Sequence, residues 1–171
     1  MPRILYFFAL CNLVIGSGAF VLSGILQPLA KELGTSIAAA GQVMTAYAIA
    51  TAVLAPLLIF LTAHWPRKRA MQLALGLFMA GNLVSALAPD LTVLLIGRVL
   101  MGAGAVFTAM VSAYAVTLVA PALRGRALST VFLGMSISYA VALPIGAWLG
   151  LTYGWHMPVW LCAAASLAAL L

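Results

Sequence analysis

Carboxylates are almost missing from this sequence: Glu32 and Asp90 are the only acidic residues among 171, against eight Lys and Arg. Charged residues of both signs make up only 6% of the chain, where a soluble domain carries about a quarter. With 66% apolar residues and a mean hydropathy of +1.22, a water-soluble globule is excluded. Disorder and a nucleic-acid-binding module need a polarity or a basic face that this composition does not supply. Cysteine is scarce too. Cys11 and Cys162 fall at different depths of two apolar stretches, which reads as packing rather than as a disulfide. The two histidines, His64 and His156, lie between apolar stretches, so neither a metal site nor a catalytic constellation is expected.

What is present is long apolar runs. A membrane span needs about 20 apolar residues, and six stretches emerge, at about 4–29, 38–61, 70–87, 91–119, 127–149 and 158–171. The expected fold is an all-α membrane protein, a six-span transmembrane helix bundle forming a single domain over 1–171. The last stretch would be only about 21 Å long at 1.5 Å per residue, so the sixth span reads as truncated. Loops are marked by Pro66-Arg67-Lys68-Arg69 and by Pro121 followed by Arg124-Gly125-Arg126, where proline and cations cannot continue a lipid-facing helix. Arg3, Arg67, Lys68, Arg69, Arg124 and Arg126 all fall on one side, and Lys31, Glu32 and Asp90 on the other. The positive-inside rule then predicts a multi-pass inner-membrane protein with a cytoplasmic N-terminus. The basic pI follows from topology and implies no nucleic acid partner.

Arg98 is the one full charge well inside a stretch, about 10 Å below the non-cytoplasmic surface, where ionisable residues are rare and usually functional. Counting back along span one predicts Ser23 or Gln27 as its neighbour. Glycines recur at helical spacing: Gly16 and Gly18, Gly102 and Gly104 after Arg98, and Gly146, Gly150 and Gly154, a pattern that lets membrane helices approach closely. Pro144 predicts a kink or hinge in span five. Polar residues that could line a cavity include Asn12, Ser17, Ser23 and Gln27 in span one, Tyr47 and Thr51 in span two, Thr108, Ser112 and Tyr114 in span four, and Ser136, Ser138 and Tyr139 in span five. No carboxylate lies within a span, so a proton relay has no titrating acid here. The aromatics around Tyr153, Trp155 and His156 suit a membrane interface. An intramembrane serine protease is disfavoured, since Gly134-Met135-Ser136-Ile137 lacks the second glycine and His156 is in a loop.

Leu95-Ile96-Gly97-Arg98-Val99-Leu100-Met101-Gly102-Ala103-Gly104, followed by Arg124-Gly125-Arg126-Ala127, resembles the fourth-span motif and next loop of the major facilitator superfamily, in particular of the bacterial drug and arabinose efflux permeases. Gln27-Pro28, Gly81-Asn82, Pro144-x-Gly146 and Gly154-Trp155 support the likeness, which covers the whole chain. The family normally has an Asp before the basic cluster of the loop between spans two and three, whereas Ala63 stands at that place here and Pro66 at a Gly place. Likewise, the antiporter signature of span five has Gly-Pro and a glycine pair, where this chain has Leu143-Pro144 and a lone Gly146.

The resemblance implies the N-terminal half of a twelve-span transporter. Its implied activity is secondary transport, by alternating access and outward, of a small organic solute such as a drug, sugar or nucleoside. It implies no enzymatic activity and no cofactor; the partners would be the lipid bilayer, the solute and a C-terminal six-span half. The cavity lining would be Asn12, Ser23, Gln27, Thr108, Ser112 and Tyr114, with Arg98, Gly102, Gly104, Pro144 and Gly146 as the conformational motif. The cytoplasmic loop cations would be Arg67, Lys68, Arg69, Arg124 and Arg126, of which Arg67, Lys68 and Arg69 would set orientation and gate contacts. The competing reading is a non-transporting fragment or a half that requires a partner.

Overall fold

The structure, a computed structural model, describes residues 2–170. Its helices group into six rods: α1 (Ile4–Glu32), α2 (Ile37–Leu61), α3 (Arg67–Ala86), α4 (Leu91–Ala115), α5 (Pro121–Tyr153) and α6 (His156–Leu170). Four of them, α1, α2, α4 and α5, are long and apolar enough to cross a membrane. The three cations in the first turn of α3 lower its hydropathy, and α6 is short. Several ends differ from the expected stretches. The helix α3 begins at Arg67 because Pro66, at its N-cap, holds extended backbone. The helix α4 stops at Ala115, before Val119, and α5 begins at Pro121, ahead of Ala127, in a 3-10 turn that Pro121 opens.

Turns have local causes. Gly34 (φ 59) and Gly154 (φ 90) adopt left-handed conformations after α1 and α5, which a side chain would strain. Ser36 accepts a hydrogen bond from the Ala39 amide (3.1 Å) and Asp90 one from the Val93 amide (2.9 Å), capping α2 and α4. Asp90 also places negative charge at the positive end of the α4 dipole.

The helices pack as two interlocked triplets. The first helix of the second triplet, α4, packs along α3 and α2, whereas the first helix of the first triplet, α1, packs along α5 and α6; α3 and α6 also run side by side. This exchange is the arrangement expected of a pair of three-span inverted repeats. Glycines make the crossings close. A Cβ at Gly81 would lie 2.6 Å from the Gly97 carbonyl, one at Gly102 would lie 2.7 Å from the Tyr47 carbonyl, and one at Gly134 would collide with the Ala9 carbonyl. Two apolar cores result. One, around Phe8, Phe78, Phe107 and Val131, lies toward the end carrying Arg67; the other, around Leu22, Leu29, Leu94 and Trp155, lies toward the end carrying Asp90. Trp155, expected at the interface, is instead fully buried in that second core, stacked on His156 at 3.7 Å between ring centroids. Gly154 turns the chain so sharply that the indole enters the bundle, while Tyr153 stays exposed.

Candidate functional site

Span one is not one continuous α-helix. After Phe20 it tightens into a 3-10 segment, Val21–Ile25, before resuming α geometry at Leu26. The carbonyls that close the first α-helical piece carry the negative end of its dipole and spare acceptor capacity. Arg98 fills that place from α4. It is fully buried, and its Nη1 donates to the Gly18 carbonyl (2.9 Å) and the Ala19 carbonyl (3.2 Å). With both acidic side chains, Glu32 and Asp90, at helix ends and none within an apolar span, helix-end carbonyls are the strongest acceptors on offer to Arg98. Gly18 lets α1, α3 and α4 close around the pair, since a Cβ there would lie 2.9 Å from the Phe78 ring and 3.1 Å from the Asn82 side-chain oxygen. The Arg98 Nε has no protein partner.

This corrects the expected partners. Ser23 and Gln27 are both exposed, and the Ser23 hydroxyl donates to its own helix at the Phe20 carbonyl (2.7 Å). Hydroxyls in apolar helices satisfy themselves on the preceding turn, which leaves the guanidinium to the backbone.

The other polar candidates divide into three groups. Asn12 and Thr108 meet: the Thr108 hydroxyl donates to Asn12 Oδ1 (2.8 Å), while Asn12 Nδ2 donates to the Val131 carbonyl (3.1 Å), tying α1, α4 and α5 together. Asn12 is fully buried, so in this structure it is a tie between helices rather than the lining of an open cavity. Thr108 and Ser112 are half-buried, and Ser112 donates to the Thr108 carbonyl (2.7 Å). Tyr114 stands apart, at the basic end, where the Arg67 guanidinium lies 5.2 Å from its ring centroid and also donates to the Thr117 hydroxyl (3.3 Å). It lines cavities at that end and not the mid-depth wall, because α4 has by then run almost its full length. Arg67, Lys68, Arg69, Arg124 and Arg126 are all exposed.

Gly102 lies against α2 and Gly104 against α3, beside Ala74 and Phe78. Pro144 is exposed and opens an α-helical piece, Leu143–Tyr153, directly after a π-helical stretch, Ser138–Ala142. Because proline offers no N–H, the backbone widens there, and the Leu143 amide bonds to the Ser138 carbonyl five residues back. Gly146, in the regular piece that follows the π-helical stretch, packs on Val21 of the 3-10 segment.

Two features escaped sequence reasoning. Phe20, at the α-to-3-10 change, stands edge-on to Tyr139 of the π-helical stretch (5.2 Å between centroids) and to Tyr47 of α2 (6.5 Å), an aromatic cluster of three helices near the middle of each. Tyr47 and Tyr139 carry a polar signal, but Phe20 has none. Asn82 and Ser166 form a buried pair between α3 and α6, with Asn82 Nδ2 donating to the Phe78 carbonyl (3.0 Å) and the Ser166 hydroxyl (3.4 Å). Of this pair, only Asn82 had a sign in the sequence, the Gly81-Asn82 dipeptide.

Comparison with known proteins fits this geometry. A sequence profile described as Major Facilitator Superfamily matches residues 8–171. The chain is 35% identical over 145 residues to the inner membrane transport protein YdhP of Escherichia coli, covering 84% of this chain and 37% of that protein. It is 32% identical over 170 residues to a chloramphenicol resistance protein of Streptomyces lividans, covering 99% of this chain and 43% of that one. Among solved structures, the proton:xylose symporter XylE bound to 6-bromo-6-deoxy-D-glucose superposes with a TM-score of 0.78 at 21% identity, over 98% of this chain and 42% of the symporter, a likeness of fold alone. Interlocked triplets, an arginine buried against the broken first helix and a profile matched over nearly every residue lead to one conclusion: this chain belongs to the Major Facilitator Superfamily, and it spans about two fifths of the length of the curated relatives it matches.

Proposed function

We propose that the chain forms one half of a secondary transporter of the bacterial inner membrane, with its N-terminus cytoplasmic, which moves a small organic solute such as a drug, sugar or nucleoside outward by alternating access. The interlocking of the two triplets carries this reading. Each first helix is gripped by the second and third helices of the other triplet, and Arg98 and the Asn12–Thr108 pair join the two first helices across their contact. Such a body moves as a unit, which is what rocking about a central site requires. Ser23 and Gln27, with the cluster of Phe20, Tyr47 and Tyr139, supply a mildly polar and aromatic wall on its surface. The chloramphenicol resistance protein among the relatives supports a drug-like solute, and the missing intramembrane acid leaves any proton coupling to the partner half.

The length comparison favours a half that needs a partner, because the site of such transporters lies between two halves. The test is to join the chain to a C-terminal six-span half in one polypeptide. Its proteoliposomes should move at least one of chloramphenicol, ethidium and arabinose down a preset solute gradient, with saturation. In that protein Arg98→Met should fold yet lose most of the transport rate, and Arg98→Lys should regain part of it. A joined protein that folds and moves none of the probes, or an Arg98→Met variant at the full rate, would overturn the reading.

A further inference from the structure

At the basic end a cavity of about 420 Å³ opens between the starts of α1 and α3 and the ends of α4 and α6. Its interior is apolar, walled by Ile4, Phe8, Met71, Leu75 and Phe107, while Arg67, Lys68 and Gln72 stand at its polar side. Arg67 is held in place by the Tyr114 ring and the Thr117 hydroxyl. Neither acidic side chain, Glu32 nor Asp90, offsets these cations. Glu32 closes α1, whose first residue lines the cavity, and Asp90 caps α4, whose last turn lines it through Tyr114, so each carboxylate is a helix length away. For the 25 residues of α4 that is about 37 Å, several times the Debye length of about 8–10 Å.

We infer that this cavity binds an anionic phospholipid, with its phosphate on Arg67 and Lys68 and an acyl chain along the Met71–Leu75 wall. Both halves of the ligand are required by the cavity. Free phosphate would leave the apolar wall unfilled, and a zwitterionic lipid would bring its own ammonium group against Arg67 and Lys68, which no acidic side chain neutralises. Basic pockets between membrane helices take lipid headgroups in this way. The inference does not depend on transport.

The purified chain in mild detergent is titrated with phosphatidylglycerol, phosphatidylcholine and inorganic phosphate, and bound lipid is counted by native mass spectrometry. One phosphatidylglycerol should be retained per chain, phosphatidylcholine at least about tenfold more weakly, and millimolar phosphate should not compete. Removing each cation should weaken binding about fivefold, so R67Q/K68Q together should lose about 25-fold. R124Q/R126Q removes the same charge from the same end outside the cavity and should change affinity less than about threefold. Met71→Trp fills the apolar wall with the charges intact and should also abolish retention, with far-ultraviolet circular dichroism reporting the fold of each variant. Equal losses in the two charge pairs, equal binding of the two lipids, competition by phosphate alone, or full retention by Met71→Trp would each overturn the inference.

Discussion

Replacing Arg98 separates what its guanidinium does for the fold from what its charge costs. Its two bonds, to Gly18 and Ala19, are 2.9 and 3.2 Å long. Hydrogen bonds from a charged donor contribute about 1.5–3 kcal/mol each, so together about 3–6 kcal/mol. Against this stands the desolvation of a fully buried cation, several kcal/mol, with Nε unpaired as well. The two terms nearly cancel. Arg98→Met keeps the length of the side chain and removes the charge, so it should alter stability by less than about 2 kcal/mol. Arg98→Ala loses the same bonds and opens roughly 80 Å³, which at about 24 cal/mol per Å³ costs about 2 kcal/mol more. Arg98→Lys keeps the desolvated charge on a single ammonium without the fork, and losing one of the bonds places it about 2 kcal/mol below Met. For a chain of this size Ala and Lys should then each unfold about 4–8 °C below Met. Thermal unfolding followed by circular dichroism in one detergent measures the series. Lys matching wild type with Met far below it would show that charge, and not the forked geometry, holds α1 to α4; Ala matching Met would show that the site is not packed.

Glycine contacts give a sharper contrast: Gly134→Ala drives a methyl into the Ala9 carbonyl, a backbone atom that cannot turn aside, and should destabilise by about 1–3 kcal/mol, whereas Gly76→Ala meets nothing within 4 Å and should be neutral or stabilising by about 0.5–1 kcal/mol. Unfolding midpoints compare the two directly, and equal effects would contradict the helix contacts described. Orientation follows from loop charge. In a background with Cys11 and Cys162 replaced, a cysteine at Lys68 or Arg124 should label only after the membrane is permeabilised, and one at Asp90 should label in intact cells. Labelling of position 68 from outside would reverse the orientation.

The all-helical fold and the family were legible because both rest on features that survive without packing information. Apolar runs between prolines and cations mark helices, and the Arg98–Gly102–Gly104 spacing is specific. The faces of those helices were not legible. In a bilayer the outside of a helix is as apolar as its inside, so periodicity does not separate Leu22, fully buried, from Leu151, two-thirds exposed. For the same reason Asn12 looked like a cavity residue and proved to be a tie between three helices. The 3-10 segment after Phe20 has no sequence mark, yet it sets where the Arg98 acceptors lie, and so Ser23 and Gln27 were expected in their place. Pro144 did signal irregularity in α5, but its consequence, a π-helical stretch carrying Tyr139 against Phe20, depends on how α5 meets α1.

The most direct test is of what the chain does by itself. Reconstituted alone into liposomes, the chain should fold and insert but show no saturable, gradient-dependent accumulation of chloramphenicol, ethidium or arabinose, because on the proposed reading it would supply only one wall of a path that lies between two halves. Saturable accumulation by the 171-residue chain alone would contradict the half-transporter account and require that copies of this chain build the pathway between them.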